Sequence, residues 1–494
     1  MKNYDKITSL FKRKGYVWGP SPEIYEGGVA GFYDLGPLGA MLFNNIENTV
    51  RAVYFENNYY EIKAPLIMPS KVWEASGHLG GFTDPLTKCT KCGAVFRVDK
   101  LIKELHPKEI VDGLTYKEYD KKIEDLSIKC ASCKGPLSKT VPQDMMLKTT
   151  IGLDEEAYLR PETATTTYLQ FKRYYEFFRN KLPFGVYQIG TAFRNEISPR
   201  NGLIRKREFT QAEAQLFIFK SDKNKYSEFK DFEKIKLPLL TWKEQDKKGK
   251  PKKTSLKEAI KGKIIQNKAY AVSLAVGYQI AMELGLDEKR LRYRQHYPNE
   301  RAFYALDAWD LEYKTDSFGW VEICGVHDRS DYDLKQHAKY SGKDLRVKHG
   351  RKKEVPHILE IAAGIERLVF TVLEQAYDEE KRRTVLRLLP SIAPIQLKIF
   401  PLVSKDGLPE KAKNVYELML NEDFFAEYDE SGSIGRRYRR ADEEGVPFCI
   451  TIDHDTLEDE SVTVRDRDTM KQVRVKINEL EDFLEEAIEG DIDF

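Results

Sequence analysis

The residue types that could do chemistry are densest in TAFRNEISPRNGLIRKREFTQAEAQLF, residues 191–217. GVYQIGTAFRNE and IRKREFTQAEAQLF both have strand character, separated by the turn-rich SPRNG. Side chains alternate across a strand with period two, so Arg194 and Glu196 share one face of the first strand. Arg205, Arg207, Phe209, Gln211 and Glu213 share one face of the second. Paired as an antiparallel hairpin, the two strands would give a floor of three guanidiniums, a ring and two carboxylates. Guanidinium forks hold phosphate oxygens bidentately and a flat ring stacks on a purine, so that floor suits a nucleoside triphosphate. From these strands alone, a surface hairpin with its polar residues turned to water stays open.

Three other groups carry chemistry. Cys89-x-x-Cys92 and Cys130-x-x-Cys133, 37 residues apart, have the spacing of a tetrahedral zinc site closed by four thiolates. The alternative is a reduced insert without metal; Cys324 and Cys449 lie in apolar strands and read as small buried hydrophobes. Glu322 stands inside the apolar WVEICG, where an unpaired buried charge is costly, with Trp320, Glu322 and Cys324 expected on one face opposite Val321 and Ile323. GRRYRR gathers Arg436, Arg437, Arg439 and Arg440 around Tyr438, a set suited to phosphates and stacked bases of single-stranded RNA, or else a solvated helix face.

The elements that must position these groups follow from patterning. A helix with mixed flanks and the strand-like YYEIKAPLIMPS occupy 1–85, and a cysteine-bearing insertion is expected at 86–140. The arginine-rich strands fall in 141–220, a charged insertion in 221–269, and dense apolar and aromatic patterning in 270–390. Within the charged insertion, KEQDKKGKPKKTSLKEAIKGK (243–263) reads as a solvated loop or short helix. After LPSIAPIQ, residues 391–494 alternate strand and helix as an α/β module. The composition is globular, 41% hydrophobic and 32% charged, with a formal charge of +1, so any nucleic acid must be held by a local basic patch. The start has no signal-peptide pattern and no run of about 18 apolar residues occurs, which points to a soluble cytoplasmic protein without membrane contact.

FRNE, a loop and REF resemble motif 2 of the class II aminoacyl-tRNA synthetases. YEGGVAGFYDLGPLG, WEASGHLGGFTDPL, YLRPETA, VEICGVHDRSDYDL and DESGSIGRRYRRADEEGVPFCITIDHD extend the resemblance over nearly the whole chain. The chain is similar to the homodimeric glycyl-tRNA synthetases of archaeal and eukaryotic-like type. The resemblance implies an α+β fold: an antiparallel catalytic sheet flanked by helices, a cysteine-rich insertion, and a C-terminal α/β anticodon-binding domain. It implies ATP-dependent attachment of glycine to tRNA(Gly) through glycyl-adenylate, with Mg²⁺, structural Zn²⁺ and a homodimer built around the strand ending at Pro65.

Residue by residue, it implies that Arg194 holds the α-phosphate, with Asn195 and Glu196 at the adenine end. Arg205 and Arg207 approach the outer phosphates, Phe209 stacks on the base, and Ile204, Lys206, Glu208 and Ile323 complete the ATP surroundings. Glu322 faces ATP and Mg²⁺; HILEIAAGIERLVF is similar to motif 3, where Arg367 meets the γ-phosphate and Gly364 allows close backbone approach. Arg97, Glu162, Glu213, Glu360 and Ala362 are expected around the amino acid, the cysteine quartet around zinc, and Arg436–Arg440 on tRNA, with Arg200 toward tRNA or solvent. Two departures stand out: Glu360-Ile361-Ala362 where the family has E-P-S, whose serine contacts the amino acid, and TTT after RPETA where it has Q-G. They keep two alternatives in play, a class II synthetase for another small amino acid and a non-catalytic nucleic-acid-binding relative.

Overall fold

The computed structural model describes residues 4–106, 109, 111, 114–197, 199, 202–302, 304–492 and 494. Its largest unit is a nine-stranded sheet made of β1 (Tyr59–Glu61), β2 (Phe184–Phe193), β3 (Glu208–Ile218), β4 (Lys236–Leu240), β5 (Lys252–Ser255), β6 (Leu291–Gln295), β7 (Asp307–Thr315), β8 (Gly319–Ser330) and β9 (His357–Gly364). The spatial order is β5-β4-β6-β7-β8-β9-β3-β2-β1, antiparallel except for the β1–β2 and β4–β6 pairs.

One face of the sheet is closed by apolar helices. In α2 (Pro37–Glu56), which follows α1 (Tyr4–Arg13), a proline sits in the first turn and Leu42, Ile46, Val50 and Val53 make a buried stripe at helical spacing. Tyr54 of α2 donates to the carbonyls of Ala212 and Ile361, at 2.9 and 3.2 Å, pinning the helix across β3 and β9. Helix α3 (Lys268–Glu283) is apolar nearly all round and buried along its length, and α4 (Ile365–Ala376) starts directly from β9. With this face committed to the core, the polar side chains at the central strands' alternate positions fall on the opposite face.

Smaller sheets border that face. Ile67–Pro69, Leu147–Ile151 and Glu155–Leu159 form one; Thr83–Lys88, Val95–Arg97 and Val141–Asp144 form another. The second carries both cysteine pairs and has its own core of Val98, Leu101, Ile102, Tyr119 and Ile128. The lysine-rich segment differs from the expected loop or short helix. It forms Trp242–Asp246, edge strand β5 and Leu256–Lys261, because capping boxes at Thr241/Glu244 and Ser255/Glu258 start both helices and β5 pairs with β4. Lysines on that edge discourage further strand addition.

The C-terminal module has β10 (Leu397–Pro401), β11 (Ala426–Tyr428), β12 (Phe448–Ile452), β13 (Ser461–Asp466) and β14 (Gln472–Lys476), in the order β11-β10-β12-β13-β14. It packs α5 (Leu408–Asn421), α6 (Ile434–Glu444) and α7 (Leu480–Glu489) around an apolar core. The end of α6 meets the large unit. Asp442, fully buried, accepts from Arg383, Arg439 and Arg465, and Tyr16 donates to the Glu444 carbonyl at 2.9 Å. Among the described residues, no helix is long and apolar enough to cross a membrane.

Candidate active site

Strand register places two polar rows side by side on the open face. One runs Gln188, Glu213, Ala362, Gly325, Asp310 across β2, β3, β9, β8 and β7; the next contains Gln215, Glu360 and His327. Of these, Glu213, Ala362, Glu360 and His327 line a cleft whose wall also includes Glu162, Gln211, Tyr304 and Arg329 at one end, and Arg194, Lys206, Phe209, Glu322 and Arg367 at the other.

The first end is a dense cluster of buried charge. Arg329 is locked to Asp333 by bonds of 3.0 and 2.9 Å and to Glu360 at 3.0 Å, with the Tyr304 ring 4.0 Å from its guanidinium. Glu162 accepts from Thr165 at 2.6 Å, with Arg329 and His78 at 3.9 and 3.7 Å. Burial works against the Glu162 and Glu360 charges, but Arg329 with His78 or His327 holds both carboxyls below the ordinary carboxylate range. Glu213 differs: burial and the neighbouring Glu360 and Glu162 push it up to about 8, while the Thr163 hydroxyl donates to it at 2.5 Å. The Glu162 and Glu360 carboxylates, with the Glu213 carboxyl beside them, thus face one fully enclosed guanidinium that Asp333 already shares, a setting that favours a further small cation. The TTT segment is buried behind this wall. Thr166 and Thr167 accept from the Gln188 amide, which accepts in turn from Arg160 at 2.9 Å. Gly190 is required beside them, since a Cβ there would meet Arg160 at 2.3 Å.

At the other end Arg194 lies between two rings, 5.4 Å from Phe82 and 5.3 Å from Phe209, and donates to the Pro161 carbonyl. Arg367 pairs with Glu322 at 3.1 Å and donates to the carbonyls of Glu322 and Ile204. Lys206 pairs with Glu366 at 3.1 Å. Glu322 is 47% exposed, so its carboxylate is open to the cleft.

The structure redistributes several sequence candidates. Strand β3 begins only at Glu208, so Arg205 and Arg207 belong to the preceding loop and do not share the β3 face. Arg205 lines the cleft, held at 2.6 Å by Glu196; Arg207 turns away to the carbonyls of Glu196 and Ala30. Asn195 and Glu208 also lie outside the cleft wall, the Asn195 backbone N–H donating to the Met145 carbonyl and Glu208 standing on the opposite parity from Phe209. Arg97 is not among the groups around Glu162 and Glu213: Asp84 and Asp99 hold it at 2.6 Å in an adjoining cavity with Lys100 and Arg205. Enclosed guanidinium chemistry at the carboxylate cluster comes from Arg329, whose signal was the Arg-x-x-x-Asp spacing of DRSDYD. Tyr304 and His327 were missed too, because their convergence depends on strand register, whereas Gln211 stands with Phe209 and Glu213 as alternation along one strand suggested. The expected face of Trp320, Glu322 and Cys324 is broken by a register shift opposite Leu311/Glu312, which buries both Ile323 and Cys324 and sends Cys324 to the helix side near Gly277. Gly364 has φ of −95°, so the chain does not require glycine for backbone reasons; a Cβ there would touch Arg367 at 3.5 Å. Arg200 lies outside the described residues.

The sulfurs of Cys89, Cys92, Cys130 and Cys133 all lie within 4.8 Å of one another, and the amides of Lys91 and Cys92 point at the Cys89 sulfur. A closed set of four thiolates fits zinc. On α6 the GRRYRR set divides. Arg437 is only 2% exposed and donates to the carbonyls of Pro401, Leu402 and Asp429. Tyr438 packs on Phe400 and bonds Thr451, Arg439 pairs with Asp442, and Arg440 with Asp429. Arg436 is exposed and, among the described residues, has no ion-pair partner.

The model of the tRNA synthetase class II core domain (G, H, P, S and T) matches residues 148–376, and that of the anticodon binding domain matches 396–487. A prolyl-tRNA synthetase from Cryptosporidium parvum superimposes with a TM-score of 0.60 at 15% identity, over 98% of this chain and 77% of its own. The fold and the cleft therefore define a class II aminoacyl-tRNA synthetase, with an antiparallel catalytic core and a C-terminal anticodon-binding domain. Glycine–tRNA ligases of Methanococcus maripaludis strain S2 and Methanocaldococcus jannaschii are each 40% identical, over 99% and 98% of this chain and 100% and 99% of their own lengths. The chain belongs to the glycine–tRNA ligase family.

Proposed function

We propose that the cleft activates glycine with ATP and passes it to tRNA(Gly). The observation that carries this is the cluster of Glu162, Glu213 and Glu360 around Arg329, directly continuous with the wall of Arg194, Lys206 and Arg367. The carboxylate end receives an α-ammonium; the cationic end receives a triphosphate. The amino-acid carboxylate attacks the α-phosphorus, its P–O bond forming as the bond to pyrophosphate breaks. A terminal ribose hydroxyl of the tRNA then attacks the adenylate carbonyl, and AMP leaves. Arg194, seated between Phe82 and Phe209, is placed for charge developing at phosphorus, and Arg367 for the leaving pyrophosphate. The exposed carboxylate of Glu322 fits a hard oxygen-bound cation, and Mg²⁺ held there would supply further neutralisation of the phosphates. Holding the reactants in line supplies the rest, worth roughly 7–11 kcal/mol in well-oriented systems.

The four-cysteine cluster would hold Zn²⁺ in a structural role, tying Thr83–Lys88 to Val95–Arg97 and so fixing Asp84, which lies 3.7 Å from Arg205. Exposed Phe55, Tyr60 and Phe177 border β1, whose outer edge pairs with no strand among the described residues; they favour a homodimer through that edge. ATP and tRNA as substrates suit the cytoplasm. ATP–pyrophosphate exchange measured across the twenty amino acids tests the reading: glycine alone should support it. Exchange with none would exclude the enzyme, and preference for another amino acid would exclude the specificity.

A further inference from the structure

Glycine offers no side chain to grip, so selecting it depends on closing every space a side chain could occupy. Most of the blind end is closed by fixed charge, namely Glu162, Glu213, Arg329 and Glu360, each tied by the bonds described above. The strip between β9 and β8 is different. There Ala362 faces Gly325 in register, a methyl opposite a hydrogen, and these are the smallest side chains in the row. Left uncovered, that strip would accept a methyl or hydroxymethyl group.

The imidazole of His327 covers it. A Cβ built on Gly325 would lie 3.0 Å from His327 Cε1 and 3.3 Å from Nε2, so the ring occupies the volume above Gly325. Its orientation is fixed from two sides. His327 Nδ1 is 2.8 Å from Glu360 Oε1, its neighbour across the strands, and the His296 ring stands edge-on with centroids 6.2 Å apart. His296 is itself held by Asp310 at 2.7 Å. The ring remains 20% exposed and belongs to the cleft wall.

The geometry points to His327 as a specificity-determining residue, a wall that closes the Gly325–Ala362 strip against any amino acid larger than glycine. This inference rests on the proposed glycine activation. The Glu360 carboxylate beside this strip is oriented by His327, Arg329, Gln215 and Tyr168.

The test is ATP–pyrophosphate exchange with glycine, alanine and serine, on the full-length chain and three variants. H327N keeps a donor toward Glu360 but removes the outer ring atoms; it should lower the glycine-over-alanine ratio of kcat/KM by on the order of ten- to a hundredfold, the range that one methyl group commands in a pocket. H327F loses the bond to Glu360 but keeps the bulk, and should retain the wild-type ratio. G325A combined with H327N puts a methyl back in the vacated space and should recover discrimination. An unchanged ratio in H327N, or relaxation in H327F without relaxation in H327N, overturns the wall. Thermal melts identify a variant that fails to fold, and the remaining two variants then decide. Wild-type exchange that prefers an amino acid other than glycine refutes the underlying reading instead, so the two failures are distinct.

Discussion

Glu213 illustrates how one side chain couples binding to pH. Buried beside two other carboxylates, it keeps its proton up to about 8, whereas an ammonium seated against it favours the ionised form. Amino-acid binding should therefore release a proton below pH 8. The KM for glycine is expected to fall by up to about tenfold per unit as pH rises from 6 toward 8, then level, and E213Q should remove that slope. A KM independent of pH in the wild type would refute the assignment. Arg194 gives a second expectation at this scale: R194A should lower exchange on the order of 10²–10³-fold, the usual cost of losing one preorganised charge-stabilising group, with an unchanged thermal midpoint.

Among the elements, α6 is the one whose sequence misleads most. Five consecutive residues, Arg436 to Arg440, look like one basic patch, yet a helix turns successive side chains through about 100° each. Arg437 consequently points into the module, where three carbonyls accept from it, while Arg436 points out. R437A should destabilise the module by about 2–4 kcal/mol through the stranded carbonyls, read by chemical denaturation. R436A should leave stability and exchange unchanged and raise the KM for tRNA several-fold. If both variants affected only tRNA charging, the division of roles along the helix would be wrong. The cysteine unit makes the corresponding point for a small sheet: its compact core is modest, so C130S should abolish zinc retention and lower the thermal midpoint, and a zinc-to-chain ratio of about one in the wild type is the check.

For the whole molecule, the junction at the end of α6 joins RNA binding to catalysis. Asp442 is the shared acceptor for Arg383 of the large unit and Arg465 of the module. D442N leaves the buried Arg465 guanidinium without its counter-charge and Arg383 with Glu380 alone among the described residues, at a cost of about 3–5 kcal/mol. Glycine-dependent exchange should survive that change, since the cleft lies wholly in the large unit, while tRNA charging should drop sharply. Equal loss of both activities would show that the junction holds the core itself together.

How much of this was legible beforehand depends on the distance over which each feature is determined. Local pattern sufficed for the cysteine pairs, the polar face of the Arg194 hairpin and the strand–helix alternation of the last hundred residues, because hydrophobic period and motif spacing are properties of neighbouring residues, while Arg367 and Glu162 were legible only through the family resemblance. Arg207 was misplaced because β3 begins only at Glu208, later than its alternation suggested, and Cys324 was assigned to the face of Glu322 because one register shift reverses parity between them. Arg97 sat near the right motif and reached the wrong partners. The family and its reaction class were thus written in the sequence itself. Only the tertiary structure decided that Arg329 and His327, more than a hundred residues from Glu162 and Glu213, close the same pocket, since antiparallel register is set by core burial on one face and fixes the opposite face without any local signal.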